Sequence, residues 1–225
     1  MRAMPAPPRY LELETWPRRA AFEYFRAFDK PYFNVCTRLD VAPLKAALAA
    51  RGGAGLSLAC YYVALRLANL HEPLRLRLED GRVRVHEAVG GSTTVLRDDD
   101  SFGFAYFEAR DGFDAFAAEA GAAIRAAREP GARFAPRLEE AALLHLTTLP
   151  WVHFTSFSHA RNWGREDSVP KLAFGRAEAG EGGRLWMPLS VEVHHALMDG
   201  VHVGRYVQAF EAAVAEPQAW LGQCA

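Results

Sequence analysis

Two adjacent histidines, His194 and His195, come shortly before an Asp-Gly pair at Asp199 and Gly200. A histidine ring titrates near neutral pH, so it can take a proton from a hydroxyl group at pH 7. A carboxylate four residues after His195 could brace the turn or orient that base. Each residue also has a plain structural interpretation, because an Asp before a helix is often its N-cap and paired histidines are often ordinary hydrogen-bonded residues. The combination is more specific than its parts and predicts a proton-transfer site.

The residues around these histidines predict a strand, a turn and a helix. Apolar and polar residues alternate over 185–194, which is typical of a half-buried strand. From Val201 onwards apolar residues recur at helical spacing, so the Asp-Gly pair lies just before a helix. A strand that continued through His195 would place this ring on the apolar face and His194 on the face of Glu192. The two histidines are therefore expected to have different roles.

The composition excludes several classes of function. The chain has 225 residues, of which 50% are hydrophobic, and we expect a single domain over 1–225. A net charge of −1 provides no basic surface for nucleic acid or an anionic membrane. The start of the chain has no apolar signal core and no run is long enough to span a bilayer, which predicts a soluble, cytoplasmic protein. The cysteines, odd in number and widely spaced, form neither a disulfide framework nor a zinc pattern: Cys36, Cys60 and Cys224.

Helical and strand periodicities intermix along the rest of the chain. Helices are predicted at 41–50, 56–70 and 113–128, and strands at 32–39, 93–96, 102–107 and 171–174. A hairpin is predicted from 74–78 and 82–86, joined by an Asp-Gly turn. Arginines that alternate with apolar residues in this hairpin are expected to face solvent: Arg75, Arg77, Arg82 and Arg84. The pattern indicates an α+β fold, a two-layer sandwich of a mixed β-sheet covered by helices.

The segment His194 to His202, which reads HHALMDGVH, resembles the active-site signature of the type A chloramphenicol acetyltransferases. A looser form of it occurs in the dihydrolipoyl acyltransferase cores of 2-oxoacid dehydrogenase complexes and in peptide-synthetase condensation domains. The likeness to the acetyltransferases spans nearly the whole chain, with WPRR at 16–19, LPWVHF at 149–154 and MPLSV at 187–191. This collinearity implies a chloramphenicol-acetyltransferase-like fold, that of the CoA-dependent acyltransferases.

The resemblance also implies a reaction, which is direct transfer of an acetyl group from acetyl-CoA to a hydroxyl of chloramphenicol. His195 would be the general base. Thr147 would take the place of the family's serine as hydrogen-bond donor to the oxyanion, and such a donor contributes about 2.7–4 kcal/mol. Asp199 would pair with Arg18 and hold the turn that carries His195. Trp151 would line the coenzyme A channel.

The family's aromatic acceptor pocket is less closely matched. The aligned positions are Tyr24, Phe25, Phe33, Phe102, Phe134 and Phe157. At Phe25 a hydroxyl of the family's tyrosine is missing, and Asp29 and Pro31 replace a leucine and a cysteine. Ala173 replaces a threonine that helps hydrate the family's oxyanion site, and Ala177 replaces a tyrosine that packs against the coenzyme.

These differences leave alternatives open. The resemblance implies a homotrimer with active sites between subunits. No metal, nucleic acid or membrane is expected as a partner. A homologue that acetylates another small hydroxyl compound, or a non-catalytic trimer that binds a ligand in the same cleft, would have a similar sequence. A zinc site could also be drawn from the histidine motif, but strand-end geometry scatters its side chains: His194, His195, Asp199 and His202.

Overall fold

Helices and strands intermix along the chain, as the mixed periodicities predict. The computed structural model describes residues 7–52, 55–137, 140–162 and 166–222. The helices are α1 (Arg19–Arg26), α2 (Ala42–Ala50), α3 (Leu56–Leu70), α4 (Phe113–Arg128), α5 (Gly200–Ala215) and α6 (Gln218–Leu221). The strands are β1 (Arg9–Tyr10), β2 (Tyr32–Asp40), β3 (Leu76–Glu79), β4 (Arg82–Val85), β5 (Gly90–Leu96), β6 (Phe102–Phe107), β7 (Leu143–Leu149), β8 (Lys171–Gly175), β9 (Glu178–Ala179) and β10 (Leu185–His194).

Most of the strands belong to one mixed sheet. Within the described residues it has seven strands in the order β2-β10-β8-β7-β5-β6, with β9 added alongside β10. Strand β7 runs parallel to β5 and β8, whereas the other pairs are antiparallel. A smaller antiparallel sheet has the order β1-β4-β3. The expected α+β class with a mixed sheet is confirmed.

The two faces of the large sheet differ in what covers them. One face contributes Leu146, Leu172 and Val191 to a core that also contains Tyr206 and Phe210 of α5. Helices α2, α3 and α4 bury their apolar residues in the same core, so burial of apolar area holds the helical layer onto the sheet. The opposite face is polar along the central strands. It presents Thr147, Lys171, Ser190, Glu192 and His194.

One expectation for the hairpin is wrong. Arg77 does not face solvent but is fully buried. Its guanidinium donates to the carbonyls of Leu74 (2.9 Å), Leu76 (2.7 Å), Ala141 (2.7 Å) and Leu143 (2.5 Å). The cation can be buried because carbonyl oxygens surround it. Arg77 thus ties the hairpin to the beginning of β7.

Two observations bear on the expected class of protein. No helix in the described parts of the chain is both long enough and apolar enough to cross a membrane. Cys36 and Cys60 are free thiols, and Cys224 lies outside the described residues.

Candidate active site

His195 lies just beyond the end of β10, where the chain leaves the sheet. Its backbone N–H donates to Pro31 O at 2.7 Å, which fixes the first residue of the turn. The imidazole stacks on Phe25, with ring centroids 3.7 Å apart and planes only 8° from parallel. Phe33 contacts it at 4.6 Å. The side chain remains 30% exposed, so an aromatic slot holds the ring while leaving part of it open to a substrate.

Arg18 clasps the turn that follows His195. Its guanidinium donates to both carboxylate oxygens of Asp199, at 2.6 and 2.8 Å, and to the carbonyls of Ala196 (2.9 Å) and His195 (3.1 Å). The Arg18 hydrogen bond is the main reason that the pKa of Asp199 is lowered, so Asp199 is a carboxylate at neutral pH. The Asp199 carboxylate also lies beside the imidazole, with Oδ1 3.4 Å from His195 Nδ1.

Asp199 is also the N-cap residue of α5, as the plain structural interpretation of the Asp-Gly pair predicts. Its backbone N–H donates to His202 Nδ1 at 3.0 Å. Its carboxylate, however, is bound by Arg18. The same residue therefore begins the helix and braces the turn before it.

His194 has a different environment from its neighbour. It is the last residue of β10 and only 4% exposed, on the face of Ser190 and Glu192 as predicted. Its Nδ1 accepts a hydrogen bond from the Ala196 N–H at 3.3 Å. Burial, helped by the nearby Arg161, lowers its pKa to about 4, which keeps the ring neutral at pH 7. His194 is a structural residue of the strand end.

Thr147 lies far from His195 within one protomer. It pairs with Ala173 of β8, and Ala173 pairs with Ser190 of β10, five residues before His195. With strands about 4.8 Å apart and about 3.3 Å of rise per residue, the two Cα atoms are separated by roughly 19 Å. Among the described residues the Thr147 hydroxyl makes no hydrogen bond, so it is free to serve as a donor. Trp151 follows at the end of β7 and is 61% exposed.

The predicted acceptor-pocket aromatics fall into separate groups. Phe25 and Phe33 contact His195, and Tyr24 packs on Phe25 at 5.1 Å. Phe102 and Phe134 contact each other at 5.5 Å on the β6 side of the sheet. The Phe157 ring packs against Phe154 and His159. No single protomer gathers all six rings around His195.

The histidine motif shows no metal-binding arrangement. Two of its nitrogens, His194 Nδ1 and His202 Nδ1, accept backbone N–H groups, and Arg18 binds the Asp199 carboxylate. In the described ranges, no three His, Cys, Asp or Glu side chains come close enough together to hold a metal ion.

Comparison with known sequences identifies the family of this chain. The sequence model for chloramphenicol acetyltransferase matches residues 9–211, which is nearly the whole chain. The chain belongs to the chloramphenicol acetyltransferase family. It is therefore an acyltransferase.

Individual relatives agree over almost their full length. A chloramphenicol acetyltransferase of Streptomyces acrimycini is 30% identical over 96% of this chain and 97% of its own. A solved chloramphenicol acetyltransferase is 27% identical and superposes with a TM-score of 0.85 over 92% of this chain and all of that one. The dihydrolipoamide acetyltransferase of Azotobacter vinelandii, at 17% identity and a TM-score of 0.68 over 97% of this chain and 94% of that one, shares the fold.

The sequence predictions above miss two features of this protein. Phe104 contacts both Phe102 (5.6 Å) and Phe134 (5.2 Å), and the period-two spacing of β6 could have indicated it. A group of charged side chains, including Arg161 and Glu192, is buried on the polar face of the sheet. No local pattern signals the pair, because Arg161 and Glu192 are 31 residues apart.

Proposed function

We propose that this protein is a type A chloramphenicol acetyltransferase, which transfers the acetyl group of acetyl-CoA to a hydroxyl of chloramphenicol and so inactivates the antibiotic. The observation that carries the proposal is the placement of His195. The ring is stacked on Phe25, partly exposed, and followed by a turn that Arg18 and Asp199 hold. This arrangement occurs in a chain that matches the family over residues 9–211.

In the proposed reaction His195 removes the proton from the acceptor hydroxyl. The acceptor oxygen attacks the acetyl carbonyl and forms a tetrahedral oxyanion, to which the Thr147 hydroxyl donates a hydrogen bond. When the adduct collapses, the carbon–sulfur bond breaks and the departing thiolate takes the proton from the imidazolium. The products are the acetyl ester and coenzyme A, and His195 is neutral again. Arg18 and Asp199 touch no reacting atom and act by holding His195 in place.

The site requires more than one copy of the chain. Across roughly 19 Å within a protomer, Thr147 and His195 cannot both reach the acetyl carbonyl, so in the proposed reaction a second protomer supplies one of them. The separation of Phe102 and Phe134 from Phe25 supports the same conclusion. We propose a homotrimer with active sites at its subunit interfaces.

Other residues support the proposed substrates and a cytoplasmic location. The exposed Trp151, whose carbonyl accepts a hydrogen bond from Arg176 at 3.1 Å, would line the coenzyme A channel. Acceptor contacts would come from the pocket aromatics of both protomers: Tyr24, Phe25, Phe33, Phe102, Phe134 and Phe157. A co-substrate made in the cytoplasm and the unpaired thiols of Cys36 and Cys60 favour a cytoplasmic location.

The test is the release of coenzyme A thiol from acetyl-CoA in the presence of chloramphenicol. We expect saturable release with a Michaelis constant in the micromolar range, and turnover in His195→Ala lower by orders of magnitude with the trimer intact by sedimentation. Release with another small alcohol but not with chloramphenicol would show that the acceptor is different. Acetylation of such an alcohol is the second candidate function, because Phe25 lacks the hydroxyl of the family's tyrosine. Normal turnover in His195→Ala would refute the mechanism.

A further inference from the structure

The polar face of the sheet carries a buried group of charged side chains, here called the charged cluster: Arg161, Asp167, Lys171 and Glu192. Arg161 Nε donates to Glu192 Oε1 at 2.6 Å, and its Nη1 lies 3.2 Å from Asp167 Oδ1. Lys171 Nζ donates to Asp167 Oδ2 at 3.0 Å. The Arg161 and Glu192 side chains are only 3% and 6% exposed, which is rare for charged residues.

The charged cluster holds the segment 157–162, which has no helix or strand of its own. Glu192 Oε2 accepts the His159 N–H at 3.0 Å. Lys171 Nζ donates to Ala160 O at 2.8 Å. Since this segment belongs to no sheet ladder, its backbone polar groups are bound by side chains instead.

The held segment begins with Phe157, one of the predicted acceptor-pocket residues. Its ring packs against the His159 ring, with centroids 4.7 Å apart, and its carbonyl lies 3.5 Å from Ser190 Oγ. His159 is the residue whose backbone N–H Glu192 binds. A short chain of contacts therefore runs from Glu192 through His159 to the Phe157 ring.

The energetics favour a positioning role over a stabilising one. Burial of an ion pair costs desolvation energy that the attraction only partly returns, so apolar residues of the same volume would be about as stable. Burial alone would raise the pKa of Glu192, but contacts with His159 and Arg161 outweigh it and lower this pKa to about 2. Glu192 is therefore ionised at any working pH and keeps a fixed hydrogen-bonding geometry.

We propose that Glu192, fixed by Arg161, is a positioning residue for the acceptor: it sets the place of Phe157 and thereby the affinity for the acceptor, without touching a substrate. The inference rests on the proposed function, because it takes Phe157 to be part of the acceptor site.

The test substitutes Glu192→Gln, which keeps the side-chain shape and an oxygen for the His159 N–H but removes the charge. We expect the KM for chloramphenicol to rise about tenfold, in the range of couplings measured within one network, while kcat and the KM for acetyl-CoA change less than about twofold. The double variant Glu192→Gln, Arg161→Gln removes both charges and should recover part of the acceptor KM. As a control, Asp114→Asn breaks the ion pair between Asp114 of α4 and Arg51, which follows α2, and should leave all three constants unchanged.

A merely structural role would lower thermal stability and leave the ratio of the two KM values unchanged, and this outcome would overturn the inference. A second measurement separates that failure from failure of the proposed function. With 4-fluorophenylalanine at position 157, the fluorine NMR resonance should shift and broaden in Glu192→Gln and not in Asp114→Asn, whether or not chloramphenicol is the acceptor. An unchanged resonance would also refute the positioning of Phe157, whereas absent turnover in the wild type would refute only the acceptor.

Discussion

The two neighbouring histidines have different surroundings, which supports the proposal that His195 is catalytic and His194 structural. His195 lies in an aromatic slot with part of its ring open, whereas His194 is buried with its Nδ1 already hydrogen-bonded. The end of β10 makes this division possible. One residue is held by the sheet, and the next is free to turn with the loop under the control of Arg18.

The Arg18 clasp predicts a defect in turnover. Arg18→Gln loses the two-point contact with the Asp199 carboxylate, so the His195 ring can shift relative to a bound acceptor. Misplacement of a catalytic group by about 1 Å can cost a factor of about 100, and we expect kcat to fall about 10- to 100-fold. Because the proposed mechanism gives Arg18 no contact with a substrate, the KM for acetyl-CoA should change little.

The adjacent residue provides a matched control. Arg19 forms exposed ion pairs with Glu14 and Glu23, and such pairs contribute little. Steady-state kinetics of Arg19→Gln should match those of the wild type. Equal kcat values in Arg18→Gln and the wild type would contradict the proposed role of the clasp.

At the scale of elements, the sequence predicts those helices, strands and turns whose pattern lies within one short stretch of residues. The unit β10-turn-α5 is an example, because alternation, the Asp-Gly pair and helical spacing all occur within 185–215. Helices α3 and α4 begin and end where their periodicity predicts. The family resemblance adds Thr147 and Arg18, which no periodicity connects to His195.

Buried charge is what the sequence does not reveal. Arg77 alternates with apolar residues as a solvent-facing arginine would, and its burial depends on carbonyls 64 and 66 residues away. Arg161 and Glu192 are separated by 31 residues and meet only because β10 and the segment after β7 share one sheet face. Local patterns carry no information about such partners.

Arg77 predicts a test of how the two sheets are joined. Arg77→Met keeps much of the volume but leaves buried carbonyls of β3 and β7 without a donor, each at a cost of about 1–3 kcal/mol. We expect the free energy of unfolding in urea to fall by about 3 kcal/mol or more. Arg82 lies on the exposed side of the same hairpin, and Arg82→Met should cost far less. Similar values for the two variants would show that the buried contacts add nothing to stability.

At the scale of the whole molecule, the large sheet has one face sealed by helices and one that carries polar groups. The helix-covered face holds the core, so substitutions there act on folding. The polar face carries Thr147 and the charged cluster. His194, the last residue of β10, lies on the same face. Function and association are therefore expected to depend on the polar face, and stability on both.

Buried and half-buried histidines on the sheet and hairpin predict that the folded protein loses stability as the pH falls below neutral. Burial is the main cause that lowers the pKa of His86, His145 and His194 to about 4, whereas their value in an unfolded chain is 6.5. Between pH 6.5 and about 4 the unfolded chain binds protons that the folded protein does not. Acidification through this window therefore favours unfolding, by up to about 1.4 kcal/mol per pH unit for each histidine.

This dependence can be separated from that of the carboxylates. Asp167, Asp199 and Glu192 have lowered pKa values, so their contributions are lost only as the pH falls below about 4.5. Urea unfolding at pH 7.0, 6.0 and 5.0, at one fixed protein concentration because assembly adds to apparent stability, should show the histidine effect alone. His145→Gln removes one of the three histidines whose pKa is lowered to about 4. Because the pKa of His202 is also lowered, the slope should fall by less than about one third. A free energy of unfolding that stays constant from pH 7 to pH 5 would mean that these rings take up protons without unfolding, and that the sheet accommodates charge at positions where burial opposes it.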